Sequence, residues 1–278
     1  MKRALILIIL LTFSVGFSAT KVMTFNTMCD FCKGSNFWDY HNRQTALSKI
    51  IKSYKPDLIA LQEVRSISQV KKILSSMPEY KYICTDSWLM SYADPVIIYH
   101  QEKYKLIDEG QGWLGPNPKE LNFGWKWALP RQFIWVKLKR KVDGKTFIFI
   151  SSHFDNRVEN LDGAAILLNK TFKQKKIPLI FAADTNLTVD LPSYAKLIDK
   201  LFINSFDLTE ILSPERSKNT RDFCYLKKGK NFPACRVDHI LLSKNDHWQV
   251  KSYHIDQTKN YKGLFPSDHR PVIIELDF

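Results

Sequence analysis

Six places along the chain carry residues of the kind that do chemistry, and each follows an apolar run. They are Asn26, Gln62-Glu63, Ser152-His153-Phe154-Asp155-Asn156, Asp184-Thr185-Asn186, Asp238-His239 and Ser267-Asp268-His269-Arg270. Carboxylates are hard ligands suited to a hard cation. Imidazoles exchange protons near neutral pH, and a neighbouring carboxylate fixes the ring's tautomer and raises its basicity. Apolar strands that end in such groups are how a rigid scaffold presents a site. Taken singly, each cluster also reads as an ordinary turn, since Asp and Asn are common turn residues. Six together, all after apolar runs, point to one site. A zinc centre built on the histidines is excluded by spacing, because there is no HExxH or comparable pair.

The elements that must position these groups follow from hydrophobic periodicity. Strands are expected at Lys21–Asn26, Leu58–Leu61, Pro95–Tyr99, Lys105–Asp108, Gln132–Lys139, Lys145–Ser151, Pro178–Ala183, Val237–Leu242, Val250–His254 and Val272–Leu276. The dipeptide Asp143-Gly144 marks a hairpin. Helical patterns cover Arg43–Tyr54 (Ala46, Leu47, Ile50 and Ile51 on one face), Ser66–Ser75, Leu161–Phe172 and Ser193–Leu201. Strands outnumber helices, and hairpins alternate with helical connections. That pattern predicts an α/β protein of two packed mixed sheets with helices outside. No Pro/Gly/Ser-rich linker divides the chain, so residues 20–278 are expected to form one domain.

The first residues read as an export signal. Met1-Lys2-Arg3 is a charged start, Ala4–Leu11 an apolar run, and Thr12–Ala19 a zone of small residues where cleavage after Ser18 or Ala19 fits. The apolar run is short for a membrane anchor, which needs about 20 residues. A secreted or periplasmic protein is therefore expected. Five cysteines in an exported chain suggest disulfides plus one spare. Cys224 and Cys235 flank a Lys/Gly-rich stretch and are expected to pair. Cys29 and Cys32 form a CxxC whose preferred reading is a small loop disulfide, with Cys84 as an alternative partner. Net charge is +13, of which Lys2 and Arg3 supply two. A basic surface favours polyanions, either nucleic acid or an anionic membrane face, although scattered lysines also serve plain solubility.

The segments "MTFNTM", "DLIALQEV", "SSHFDN", "FAADTN", "RVDHILL" and "PSDHRPV" occur in an order that resembles the endonuclease/exonuclease/phosphatase superfamily, which includes DNase I, apurinic endonucleases, neutral sphingomyelinases and inositol polyphosphate 5-phosphatases. The resemblance spans residues 21–278, and "SDHRPV" and "LQEV" are its most specific parts. It implies a DNase I-like four-layer α/β/β/α sandwich and a Mg2+-dependent phosphoesterase, with Mn2+ as a substitute. One departure stands out: the usual Gly-Asp-x-Asn box reads Ala183-Asp184-Thr185-Asn186 here. By resemblance to DNase I, Asp94 matches the carboxylate that supports His153.

Phosphodiester hydrolysis needs a nucleophilic water, neutralised phosphoryl charge and a stabilised leaving group. Glu63 is the best candidate metal ligand, with Asn26 and Asp268 completing the site directly or through water. His269 is a candidate general base or phosphate ligand oriented by Asp238, and His153 is a second imidazole. Asp184 and Asn186 are expected to position the water or the phosphate, and Arg131 to clamp a phosphoryl oxygen beside His153 and Asn186. His41, His100, His239, His247 and His254 read as structural or surface residues; His239 follows Asp238 and so faces the opposite side of its strand. A nucleic-acid substrate is the first expectation and a phospholipid or other anionic membrane the alternative. Trp113, Phe123, Trp125 and Trp127 would suit an interfacial loop, but core packing against a sheet edge is the preferred reading. No protein partner is implied, and a monomer is expected. The sequon Asn186-Leu187-Thr188 falls on a candidate site residue, where a glycan would block catalysis; this favours a bacterial source.

Overall fold

The computed structural model describes residues 19–29, 32, 40–85, 93–209, 218–221, 235–259 and 263–278. The export signal, apart from Ala19, and Cys224 of the expected Cys224–Cys235 pair lie outside the described residues. Among those described, no helix is long and apolar enough to cross a membrane.

One sheet contains β1 (Thr20–Asn26), β2 (Leu58–Gln62), β3 (Tyr80–Cys84), β4 (Val96–His100), β11 (Gln249–Ile255) and β12 (Val272–Asp277), in the order β11-β12-β1-β2-β4-β3. The other contains β5 (Tyr104–Trp113), β6 (Gln132–Arg140), β7 (Thr146–His153), β8 (Leu179–Asp184), β9 (Phe202–Asn204) and β10 (Asp238–Ser243), in the order β5-β6-β7-β8-β10-β9. Each sheet is mixed: β1 runs parallel to β2, and β7 parallel to β8, while the remaining pairs are antiparallel.

Strand alternation builds the layers. Val22, Leu58, Ala60, Phe147, Phe149, Ile180, Ala182, Ile240 and Ile274 fill the space between the sheets. The intervening residues face outward. Met23, Phe25, Ile59 and Leu61 meet α1 (Tyr40–Tyr54) and α2 (Ile67–Ile73), whereas Ile148, Ile150, Phe181 and Leu241 meet α3 (Val158–Phe172) and α4 (Pro192–Ile198). The result is the expected four-layer α/β/β/α sandwich.

Local chemistry sets the ends of the helices. Lys55 takes a left-handed φ of 48° and its N–H returns to Ile51 O, so α1 stops before Pro56. Ser66 caps α2 by accepting from Gln69 N at 3.3 Å. The hairpin at Asp143-Gly144 forms as expected, with Gly144 at φ 75°. α4 ends at Ile198, three residues short of the expected helix.

Three strands depart from expectation. β3 and β9 leave no periodic signal in the sequence, being short and weakly alternating. β5 runs on to Trp113, well past Asp108, through Glu109-Gly110-Gln111-Gly112, which has the composition of a loop. The glycines belong in the strand because Trp135 and Phe133 lie directly opposite them. A Cβ at either glycine would stand 2.6 Å from the facing ring, so each missing side chain makes room for an aromatic on the neighbouring strand.

Candidate active site

The inward alternation that builds the inter-sheet core continues past its apolar residues into polar ones. On β1, Val22 and Thr24 lead to Asn26. On β7, Phe147 and Phe149 lead through Ser151 to His153. On β8, Ile180 and Ala182 lead to Asp184, and Asp238 shares a face with Ile240 on β10. Register then aligns them, with His153 opposite Asp184 and Asp184 opposite Asp238. The site is thus the polar end of the inter-sheet core.

Asp184 is its centre. Its Oδ2 accepts from Asn26 Nδ2 at 2.9 Å and lies 3.5 Å from His153 Nε2 and 3.6 Å from His269 Nε2. Behind each imidazole stands a carboxylate. Asp238 meets His269 Nδ1 at 2.9 Å, and Asp94 meets His153 Nδ1 at 2.9 Å. Each Nε2 is thereby turned toward Asp184. Ser267 Oγ bonds Asn26 O at 2.8 Å and receives His269 N at 3.1 Å, fastening the segment that carries His269 to the end of β1.

Glu63 follows β2 with a left-handed φ of 60°, a strained conformation of the sort that collects at functional sites. Its Oε1 accepts from Asn26 Nδ2 at 2.9 Å and its Oε2 from Cys29 N at 2.6 Å. Asn26 therefore bridges the two carboxylates of Glu63 and Asp184, while its Oδ1 accepts from Met28 N at 2.9 Å. That geometry makes Asn26 a spacer that holds the two candidate metal-binding carboxylates apart. Asp94 also braces Glu63, whose N–H donates to Asp94 Oδ1 at 3.1 Å.

Arg131 Nη1 lies 2.7 Å from His153 Nδ1 and 3.4 Å from Asp94 Oδ2. A single ring nitrogen makes only one of the two available bonds. A proton on Nδ1 directed at Asp94 is the arrangement that satisfies a carboxylate, and it leaves the guanidinium to Asp94 and the cleft. Arg131 Nε is buried with no hydrogen-bond partner, as is His269 Nε2. Each is a donor left to offer to a bound group. Asp268 lies on the rim with Oδ2 3.9 Å from Arg221.

The electrostatics follow from burial opposed by neighbouring charge. Burial alone would raise the Glu63 carboxyl, but His153, Asn26, His269 and Arg131 outweigh it and hold Glu63 below its ordinary range. Asp184 is likewise opposed by burial, yet His269, His153 and Arg221 draw it down to about 2. Burial raises Asp238. Burial also works against a charged His269, but Asp238 and Asp184 overcome it and push the ring up to about 10. The buried His269 thus carries a proton between two acids. Asp184, Asp238 and His269 each offer a ligand atom within 4.8 Å of the others. With His269 protonated, the donors left for a hard divalent cation are carboxylate oxygens, those of Glu63 and Asp184 on either side of Asn26.

Three residues around this centre escaped sequence reasoning. Arg43, buried in α1, donates to Cys29 O at 2.8 Å and Met28 O at 3.2 Å, holding the loop that carries the Cys29 N–H. Thr220 Oγ1 receives the N–H groups of Val237 and Asp238 at 3.0 and 3.2 Å. Arg221 donates to Asn186 Oδ1 at 2.8 Å. None of the three follows an apolar run, the signal that revealed the others. Cys29 and Cys32 form the expected loop disulfide. Cys84 is a thiol on β3, and Cys235 is disulfide-bonded. Ala183 sits in regular strand, its methyl buried against α3 and α4, so the departure from glycine is accommodated. His239 has the structural role expected of it: Nε2 donates to Leu187 O at 2.8 Å beneath the site.

Three of the four aromatics correct the preferred reading, while Trp113 is half-buried at the end of β5. Phe123, Trp125 and Trp127 are not in the core. They are exposed by 44, 37 and 74%, and Leu121 and Leu129 beside them are exposed as well. Trp125 lies across Gly163 of α3, where a Cβ would come within 2.2 Å of its ring, and Phe123 stacks on Trp127 at 6.1 Å. Leu114, Phe133 and Phe172 already fill the layer beneath, so these rings stand outside it. The strip is rigid: Asn160 holds Lys126 through both its amide oxygen and its nitrogen at 2.8 Å.

Comparisons with known proteins agree with this geometry. A family model described as the Endonuclease/Exonuclease/phosphatase family matches residues 23–269. An endonuclease/exonuclease/phosphatase family protein from Bacteroides thetaiotaomicron superposes with a TM-score of 0.77 at 23% identity, over 94% of this chain and 99% of the other. The mannosyl-6-phosphatase Bt3783 of B. thetaiotaomicron VPI-5482 gives 0.75 at 22% identity, over 94 and 100%. D. rerio TDP2 complexed with a single-strand DNA product gives 0.70 at 17%, over 94 and 100%. At these identities the likeness is one of fold. No curated protein sequence matches the chain closely enough to count as a relative.

Proposed function

The chain belongs to the endonuclease/exonuclease/phosphatase family, and from that premise we propose that it is a secreted, Mg2+-dependent nuclease hydrolysing phosphodiester bonds of DNA or RNA. The observation that carries the chemistry is the convergence of two carboxylate-backed imidazoles on Asp184 Oδ2, at 3.5 and 3.6 Å. The basic charge of the chain supports a polyanionic substrate.

Glu63 is the ligand that would hold the metal, with Asp184 nearby and Asn26 keeping the two carboxylates apart. The ion, when bound, supplies positive charge against the phosphoryl oxygens and the leaving oxygen. The protein's own groups do the rest. Asp184 stays ionised and, with Asn186, holds a water in line with the phosphorus. Protonated His269 and Arg131 face the non-bridging oxygens. His153, kept in one tautomer by Asp94, is the second proton-handling group on the opposite side of Asp184. As the water attacks, the ester P–O bond breaks, the water's proton passes to the protein, and the departing oxygen receives one.

Parallel assays on plasmid DNA, RNA and phosphatidylcholine/sphingomyelin vesicles across a salt series test the reading. Cleavage of nucleic acid with affinity falling steeply as salt rises supports it. A lipid phosphodiesterase is the second reading, favoured by the exposed strip of Phe123, Trp125 and Trp127. Flat salt dependence with preference for vesicles would select it.

A further inference from the structure

Asn186 has a left-handed φ of 51°, and both polar atoms of its side chain have a partner. Its backbone N–H is held by Asp184 Oδ1 at 2.9 Å. Nδ2 donates one hydrogen to Phe154 O at 2.9 Å, and Oδ1 accepts from Arg221 Nη1 at 2.8 Å. A carboxamide has one oxygen and two N–H groups. Turning it over would set its NH2 against a guanidinium and its oxygen against a carbonyl, which is unfavourable on both sides. One N–H therefore remains to be offered.

The guanidinium that enforces this is itself firmly placed. Arg221 is buried, and its backbone forms an antiparallel bridge with His269. The chain on either side of that bridge is tied down by Arg270 N, which donates to Thr220 O at 2.7 Å. Its Nη2 reaches toward Asp268 Oδ2 at 3.9 Å. One side chain thus spans two segments of the site and fixes the Asn186 amide oxygen.

We propose that Arg221 is a positioning residue that locks the Asn186 carboxamide as a hydrogen-bond donor toward the phosphoryl group. This rests on the phosphoesterase reading of the same site. Arg221 acts through Asn186 and makes no substrate contact of its own. Losing it lets the amide rotate and present its oxygen to an anionic oxygen.

A double-mutant cycle tests this, using wild type, Arg221→Met, Asn186→Ala and the double variant. Each is assayed for kcat and KM with Mg2+, and for inorganic phosphate affinity by calorimetry. Arg221→Met should lower kcat by ~10- to 100-fold, the loss of one charge-assisted hydrogen bond, with KM changed far less. In the Asn186→Ala background the same substitution should change kcat by less than about twofold, because coupled residues are not additive. Arg221→Lys keeps a donor and should recover most of the kcat; it also serves if the Met variant fails to fold. Losses that multiply in the double variant would show a direct substrate contact and overturn the proposal, as would an unchanged kcat in Arg221→Met. If wild type hydrolyses no phosphoester, the functional reading fails by itself. The cycle read on phosphate affinity then still decides the positioning role, with non-additive losses supporting it and additive or absent losses overturning it.

Discussion

His239 offers a quantitative test of how the layer beneath the site is built. Its ring is 1% exposed, donates from Nε2 to Leu187 O at 2.8 Å, and sits 3.3 Å through Nδ1 from Asn204 Nδ2. Both bonds suit the neutral ring, and burial lowers its pKa from 6.5 to about 4. In the unfolded chain the same ring takes up a proton as pH falls through 6.5. The folded protein resists until about 4, so stability present above pH 6.5 drains away between those values. The shift of ~2.5 units corresponds to about 3 kcal/mol in full, of which ~2.5 kcal/mol should be lost between pH 7.5 and pH 4.5. That is a sizeable share of the ~5–15 kcal/mol typical of a domain. The other large shifts are common to both proteins and cancel in their difference: His269, raised to about 10, loses its contribution as pH rises above 6.5, and Asp184, lowered to about 2, does so as pH falls below 3.8. His239→Gln keeps an N–H for Leu187 O and removes the titration. Urea unfolding of both proteins across this range in EDTA should show the gap between them shrinking by ~2.5 kcal/mol on acidification. Parallel curves would refute the buried neutral imidazole.

Two further outcomes follow from the site's supports. Asp94→Asn removes the carboxylate from both His153 Nδ1 and Glu63 N, so kcat should fall by ~10²-fold with a small change in Tm; unchanged kcat in steady-state assays would deny His153 a working role. Replacing Cys29 and Cys32 with serine releases the loop whose Cys29 N–H holds Glu63 Oε2, and Mg2+ affinity by calorimetry should weaken by ~10-fold, the usual cost of losing a support to a ligand.

The strands that carry the site were legible because their alternation does not stop at the core. Asn26, His153, Asp184 and Asp238 occupy the next inward positions after Val22, Phe149, Ile180 and Ile240 or share a face with them, and an apolar run ending in a carboxylate or imidazole shows in the sequence. Arg221 and Arg43 lacked that signal. A cation in a segment rich in lysine looks like any solvated charge until the fold brings Asn186 or Cys29 O against it. β5 reads shorter in the sequence than in the fold for a related reason. Gly110 and Gly112 argue locally for a loop, and only pairing with β6 shows that Trp135 and Phe133 occupy their missing side chains' space. The aromatic strip failed in the opposite direction. Trp and Phe are usually core residues, and sequence carries no record that Leu114, Phe133 and Phe172 have already filled the layer beneath them.

The central claim is that Glu63 and the paired imidazoles form one metal-dependent phosphoester-hydrolysing centre. Its most direct test is hydrolysis of a fluorescent oligonucleotide phosphodiester by wild type, Glu63→Gln and His269→Ala, each in EDTA and after return of Mg2+ or Mn2+. The account predicts no turnover in EDTA, recovery with either ion in wild type, weakened ion dependence in Glu63→Gln, and kcat lower by ~10²–10⁴-fold in His269→Ala with the fold intact. Full activity in EDTA, or a wild-type rate in His269→Ala, would contradict it.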